Sequence, residues 1–92
     1  CDALLAPTPG EITLEINRHL LKGGLAVTDP ETTTAMRAAF RELKLVVEPG
    51  GAVALAACLT GKLDCQGKTT LVVLSGGNVD PDLYARVLRE EI

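Results

Sequence analysis

Two short stretches carry residue types and spacings that could do chemistry. The first is Ser75-Gly76-Gly77-Asn78, which follows the apolar run Thr69 to Leu74 and precedes Asp80-Pro81, a helix-opening pair. A hydroxyl and two glycines at the carboxyl end of a buried strand, ahead of a helix N-terminus, lie where open α/β sheets bind ligands. Backbone N–H groups there can face an anion, and glycine lets a ligand approach the main chain. A tight turn reads the same way, and the stretch has neither GxGxxG nor the lysine of a P-loop. The second is Glu48-Pro49-Gly50-Gly51, a carboxylate at a helix break beside two glycines. As the last residue of a helix, Glu48 would oppose the helix dipole, which favours a functional reading over a solvated chain end.

The other reactive side chains read as structural. His19 has no serine, cysteine or carboxylate partner suggested by spacing and suits a surface position near a helix end. Cys58 reads as a small core residue and Cys65 as a loop thiol. Tyr84 reads as packing, and Arg86, Arg89, Glu90 and Glu91 as a solvated helical face.

Helices and strands must position these groups. Thr8-Pro9-Gly10-Glu11 has the form of a capped helix start, Ile12, Ile16 and Leu20 form a stripe, and Gly23-Gly24 is a stop, which predicts a helix over 9–22. Leu25 to Thr28 predicts a short strand. Thr28-Asp29-Pro30-Glu31 predicts a second helix, running to about residue 46, with Met36, Ala39, Phe40, Leu43 and Val47 on its apolar side. The run AVALAACLTG predicts a buried helix ending at Gly61, and GKLDCQGK a polar connection. Thr69 to Leu74 predicts a strand buried on both faces, and Asp80-Pro81 caps a last helix through about residue 91. The alternation implies an α/β fold without internal repeats.

Composition narrows the function. Hydrophobic residues make up 47% of the 92 residues and aromatic ones 2%, which suits close-packed helices and parallel strands. A net charge of -3, with nine basic residues scattered among twelve acidic ones, leaves no footprint for nucleic acid or an acidic membrane. No apolar run reaches the roughly 18 residues of a membrane span. Three cysteines without metal-type spacing fit reduced thiols and a cytoplasmic protein. The thin core, the high apolar content and a start at Cys1 fit a piece of a longer chain.

Three stretches, CDALLAPTPGE, LAVTDPETTTAMRAAFRELKLVVEPGGAVALAA and LVVLSGGNVD, together resemble the C-terminal part of the pyridoxal-phosphate-dependent threonine dehydratase and serine racemase family. The resemblance implies that residues 1–92 are the C-terminal portion of a catalytic domain with a three-layer fold of the tryptophan synthase β type (PLP fold type II). It implies elimination of water and then ammonia from L-threonine or L-serine, giving a 2-oxo acid. A hydroxyaspartate dehydratase and a serine racemase are the alternatives within the family, and a small phosphate-binding or regulatory α/β module is the alternative outside it.

By the same resemblance, Ser75 hydrogen-bonds the cofactor's pyridine nitrogen. A neutral hydroxyl does not hold that nitrogen protonated, so the ring is a weaker electron sink than one paired with a carboxylate, and a full carbanion is less favoured. Gly76, beside Gly77, gives the ring room, Glu48 lies near the ring, and Ala3 stands where the family usually has a glycine bordering the cofactor. Lys44 and Asn78 match positions that contact ATP in the racemase branch. The resemblance also implies that the lysine that ties the cofactor covalently, the phosphate cradle and the family's divalent-metal carboxylates lie upstream of Cys1; none of Lys22, Lys44, Lys62 or Lys68 has that lysine's context. The chain by itself is then expected to be inert, and the intact protein to be a dimer or tetramer.

Overall fold

The computed structural model describes all residues, 1 to 92. Four α-helices form its regular framework: α1 (Glu11–Leu20), α2 (Asp29–Ala38), α3 (Pro49–Leu59) and α4 (Pro81–Leu88). A single 3-10 turn, Asp2–Leu4, precedes them. The core lies where α2 and α3 pack together with α4 against α2, and it consists of Ala35, Met36, Ala39, Val47, Ala52, Ala56 and Val87. Alanines on both helices let their backbones approach closely, and Met36 fills the remaining space.

Local sequence explains two of the starts. The Thr28 hydroxyl accepts from the Glu31 N–H at 3.3 Å while the Glu31 carboxylate accepts from the Thr28 N–H at 2.7 Å, a complete capping box. Asp80 accepts from the Leu83 N–H at 2.9 Å and opens α4 behind Pro81. Gly61, with φ 77°, ends the turn after α3 as expected. Arg37, on α2, donates to the Val87 carbonyl at 3.0 Å and so ties the last turn of α4 to the core.

Glu31 has a second partner, the Lys62 ammonium at 2.9 Å. Its hydrogen bonds, to Lys62 first and then to Thr28, hold the Glu31 carboxyl below its ordinary value of 4.5. A carboxyl depressed on folding contributes stability above that ordinary value and loses it as pH falls through the depressed one. Lys62→Met is therefore expected to weaken the acid dependence of the melting temperature below about pH 5; an unchanged acid limb would disprove the coupling.

Several expectations are corrected. The first helix begins at Glu11 with Gly10 as its cap and no side-chain cap bond, so the Thr8 frame is unused; the Thr13 hydroxyl instead donates to the Gly10 carbonyl at 3.0 Å. No residue of α1 is buried, so no packed face selects between the two competing starts. The helix also ends at Leu20, before Gly23-Gly24, and neither glycine has positive φ. The second helix stops short of residue 46. After Ala38 it passes into a π-helical turn, Ala39–Leu43, and terminates at Lys44 in the left-handed conformation, φ 59°. The wider turn rotates the apolar stripe out of line. Met36, Ala39 and Val47 are buried as expected, but Phe40 and Leu43 are exposed, with Phe40 set edge-on against Tyr84 at 6.1 Å.

The α/β expectation is not confirmed, since all regular elements are helical and neither predicted strand forms a ladder. Segments 46–48 and 76–77 run side by side, yet they share one ladder-type bond, from the Glu48 N–H to the Gly76 carbonyl at 2.9 Å. A strand exists through its neighbours, and one bond does not make a sheet. Leu71 is accordingly 92% exposed where a strand buried on both faces was expected. The Cα radius of gyration, 14.2 Å, exceeds the roughly 12 Å usual for this length, in keeping with an open arrangement. No helix is long and apolar enough to cross a membrane.

Candidate functional site

The site is built at the N-terminus of α3. Glu48 is the residue before that helix, with extended backbone (φ -72°, ψ 161°), and not the last residue of the preceding one. This reverses its expected electrostatics: the α3 dipole favours the Glu48 carboxylate instead of opposing it. The reason lies at Lys44, whose left-handed conformation ends the earlier helix four residues upstream. Pro49 then takes the first helical position, where its missing N–H costs nothing.

Around this terminus the main chain is packed at the limit of what glycine permits. A Cβ on Gly51 would lie 2.8 Å from the Gly76 carbonyl oxygen and 3.0 Å from its nitrogen. One on Gly77 would lie 2.6 Å from the Val46 carbonyl oxygen, and one on Gly76 would overlap the Glu48 carboxylate. A Cβ on Gly50 would touch that of Ala3 at 3.0 Å, which brings the Asp2–Leu4 turn onto the same helix end. Ala3, Glu48 and Gly76 thus converge, with Ser75 next in the chain. Gly76 and Gly77 are small because their own chain crowds them, a tighter requirement than giving a ring room. Gly51, read from the sequence only as a glycine beside Glu48, is in the structure the residue that lets the Gly76 backbone approach α3.

Ser75 is exposed, and its hydroxyl enters none of the chain's side-chain hydrogen bonds. It lines no cavity. Glu48 and Asn78 line one of about 150 Å³ together with Cys1, Asp2 and Asp80. The largest, about 290 Å³, lies elsewhere, between Leu25, Val27, Val53, Ala57 and Leu63. Lys44 lines neither; its ammonium donates to the Arg41 carbonyl at 2.7 Å, so no cavity unites Lys44 with Asn78. His19 is a surface residue 3.5 Å from Glu15. No group of three or more His, Cys, Asp or Glu side chains is arranged to hold a metal ion.

A free hydroxyl at Ser75, and next to it the half-buried Glu48 carboxylate against the bare backbone of Gly76, are groups that suit the edge of a planar heteroaromatic ring. They offer a partner for a ring nitrogen and no basic side chain for a phosphate, so they fit one end of pyridoxal phosphate.

Comparison with known proteins agrees in kind. The chain is 34% identical over 89 residues to the L-threonine ammonia-lyase of Thermotoga maritima, with 97% of the chain and 22% of that protein covered. It is 42% identical over 74 residues to the catabolic L-threonine dehydratase of Escherichia coli, with 78% of the chain and 22% of the relative covered. A catabolic L-threonine dehydratase of Staphylococcus aureus is 39% identical over 75 residues, with the same shares covered. The chain therefore spans about a fifth of the length of these relatives. The family described as "Pyridoxal-phosphate dependent enzyme" matches residues 1–76, which hold the Asp2–Leu4 turn, Glu48 and the Ser75-Gly76 pair. By that match, the chain belongs to the pyridoxal-phosphate-dependent enzymes.

Proposed function

We propose that this chain is the C-terminal portion of the catalytic domain of a pyridoxal-phosphate-dependent ammonia-lyase, which dehydrates and deaminates L-threonine or L-serine to a 2-oxo acid and ammonia. The names of the relatives support this substrate class over a racemase or a hydroxyaspartate dehydratase. The observation that carries the site is the convergence of Ala3, Glu48 and Gly76 at the N-terminus of α3, beside the unpartnered Ser75 hydroxyl.

When bound, the cofactor supplies an electron sink for the bond-breaking steps at the amino acid. Within this chain, the Ser75 hydroxyl would hold the ring nitrogen through one hydrogen bond and, being neutral, would leave it unprotonated. Glu48, fixed by the helix behind it and by Gly76 beneath its carboxylate, borders the ring. The glycine contacts between 46–48 and 76–77 keep the spacing of these two groups constant. The family's three-layer α/β fold is part of this proposal: segments 46–48 and 69–77 would join a sheet with other parts of the intact protein. The exposed apolar residues of α1, with Ile12 78% exposed, leave a surface for the rest of the intact protein or for a second subunit to cover, and a dimer or tetramer is part of this proposal. Nucleotide contact through Lys44 and Asn78 is not needed for the reading.

The test is Ser75→Ala in the intact protein. Loss of a hydrogen bond of about 1–3 kcal/mol in the transition state predicts a fall in kcat of about 5- to 150-fold. Formation of 2-oxo acid from L-threonine is the readout, with cofactor content measured alongside. Unchanged kcat at full cofactor occupancy would remove Ser75 from the site, and absence of any 2-oxo acid from the wild-type protein would remove the lyase reading itself.

A further inference from the structure

Gly50 has no backbone reason to be glycine. It is the second residue of α3, its φ is not positive, and alanine is the better helix former at such a position. What a side chain there would meet is the Asp2–Leu4 turn. A Cβ on Gly50 would stand 3.0 Å from the Ala3 methyl and 3.9 Å from Leu4 Cγ, and beyond α3 itself nothing else lies within 4 Å. The Ala3 methyl is bonded directly to the main chain, so it cannot swing aside as the tip of a long side chain can; the turn has to move with it. The turn is also closed on itself, with the Leu4 N–H donating to the Cys1 carbonyl at 3.0 Å and the Leu5 N–H to the Asp2 carbonyl at 3.3 Å. A displacement at Ala3 therefore carries Cys1 and Asp2 along. These two form one wall of the cavity of about 150 Å³, whose other walls are Glu48 and Pro49 at the start of α3 and Asn78 and Asp80 ahead of α4.

We propose that Gly50 is a positioning residue: the missing side chain sets how closely the Asp2–Leu4 turn approaches the N-terminus of α3, and so how far Ala3 stands from the Glu48 carboxylate. This role rests on the reading of that face as one end of the pyridoxal phosphate site. Gly50 does not touch the cofactor; it acts through Ala3. The two positions are a matched pair, a methyl group at 3 against a hydrogen at 50. With methyl groups at both, one partner has to give by a few tenths of an ångström. The partner that gives is the turn, because no backbone hydrogen bond joins it to α3, whereas the Glu48 N–H is held by the Gly76 carbonyl at 2.9 Å and the Glu48 carbonyl by the Gly51 N–H at 3.0 Å. The wall carrying Ala3 then shifts against a fixed Glu48, and the spacing across the ring edge is lost.

The test is a double-mutant cycle in the intact protein: Gly50→Ala, Ala3→Gly, and the two together. Each protein, freed of cofactor, is titrated with pyridoxal phosphate and followed by the absorbance of the bound form; each is also melted without cofactor. Gly50→Ala is expected to raise the Kd for pyridoxal phosphate about 10-fold, within the range of an overpacked contact, although alanine favours the helix. Adding Ala3→Gly is expected to recover most of that loss, and the melting temperature of the double variant should exceed the sum of the two separate changes. A Gly50→Ala protein that binds pyridoxal phosphate like wild type would overturn the proposal, as would a loss that persists unchanged when Ala3→Gly is added. A wild-type protein that binds no pyridoxal phosphate would instead remove the reading of the site itself, while the melts would still show whether the two methyl groups clash.

Discussion

Met36→Ala is expected to lower the unfolding free energy of the intact protein by about 2–5 kcal/mol, the range for large-to-small changes at fully buried sites. Met36 has no solvent exposure and is the largest side chain in a cluster otherwise made of alanines and valines. Ala35, Ala39, Ala52 and Ala56 have no side-chain length with which to collapse into the space it leaves. Domains are stable by about 5–15 kcal/mol, so this one loss is a large fraction of the total. Urea unfolding gives the value directly. Met36→Leu, close in volume, is expected to cost less than about 1.5 kcal/mol. A Met36→Ala loss below that of Met36→Leu would mean that the α2–α3 contact does not hold the core.

The second large effect is expected at Gly77. Alanine there places a methyl group 2.6 Å from the Val46 carbonyl oxygen, and a backbone atom cannot step aside as the tip of a side chain can. Segments 44–48 and 69–79 must then separate, at a cost of about 1–3 kcal/mol typical of overpacking. Glu48 and Ser75 sit on these two segments, so cofactor content should fall with stability. Gly23→Ala and Gly24→Ala are the controls: nothing lies within 4 Å of either added methyl, and neither glycine has positive φ. Both are expected to be neutral, or stabilising by up to about 1 kcal/mol through the unfolded chain. Thermal melts together with the absorbance of bound cofactor separate the cases. A Gly77→Ala protein that melts and binds like its controls would show that the contact with Val46 is not tight.

The capping of α2 and α4 was legible in the sequence because a cap closes within three residues. Thr28 with Glu31, and Asp80 with the Leu83 N–H, need nothing from the rest of the chain. The same local logic misplaced the start of α1, where Thr8 and Gly10 offer competing frames and no buried face chooses between them. Met36 and Ala39 were legible as core because they precede or open the π-helical turn; Phe40 and Leu43 fall within it, and helical spacing no longer describes them.

By itself, the sequence determined the capped starts of α2 and α4, the alanine-rich helix α3 and the motif pair EPGGA and LSGGNVD on which the family resemblance rests, all of them properties of contiguous residues. Only the tertiary structure decided that Glu48 opens α3 with the dipole in its favour, that Gly51 and Gly77 are crowded by neighbouring backbone, and that Gly76 is crowded by the Glu48 side chain. It also left 25–28 and 69–74 without ladders. The physical reason is the same throughout: a cap is satisfied by its own turn, whereas a strand or a close backbone approach depends on segments far apart in the chain, and local spacing carries no record of them.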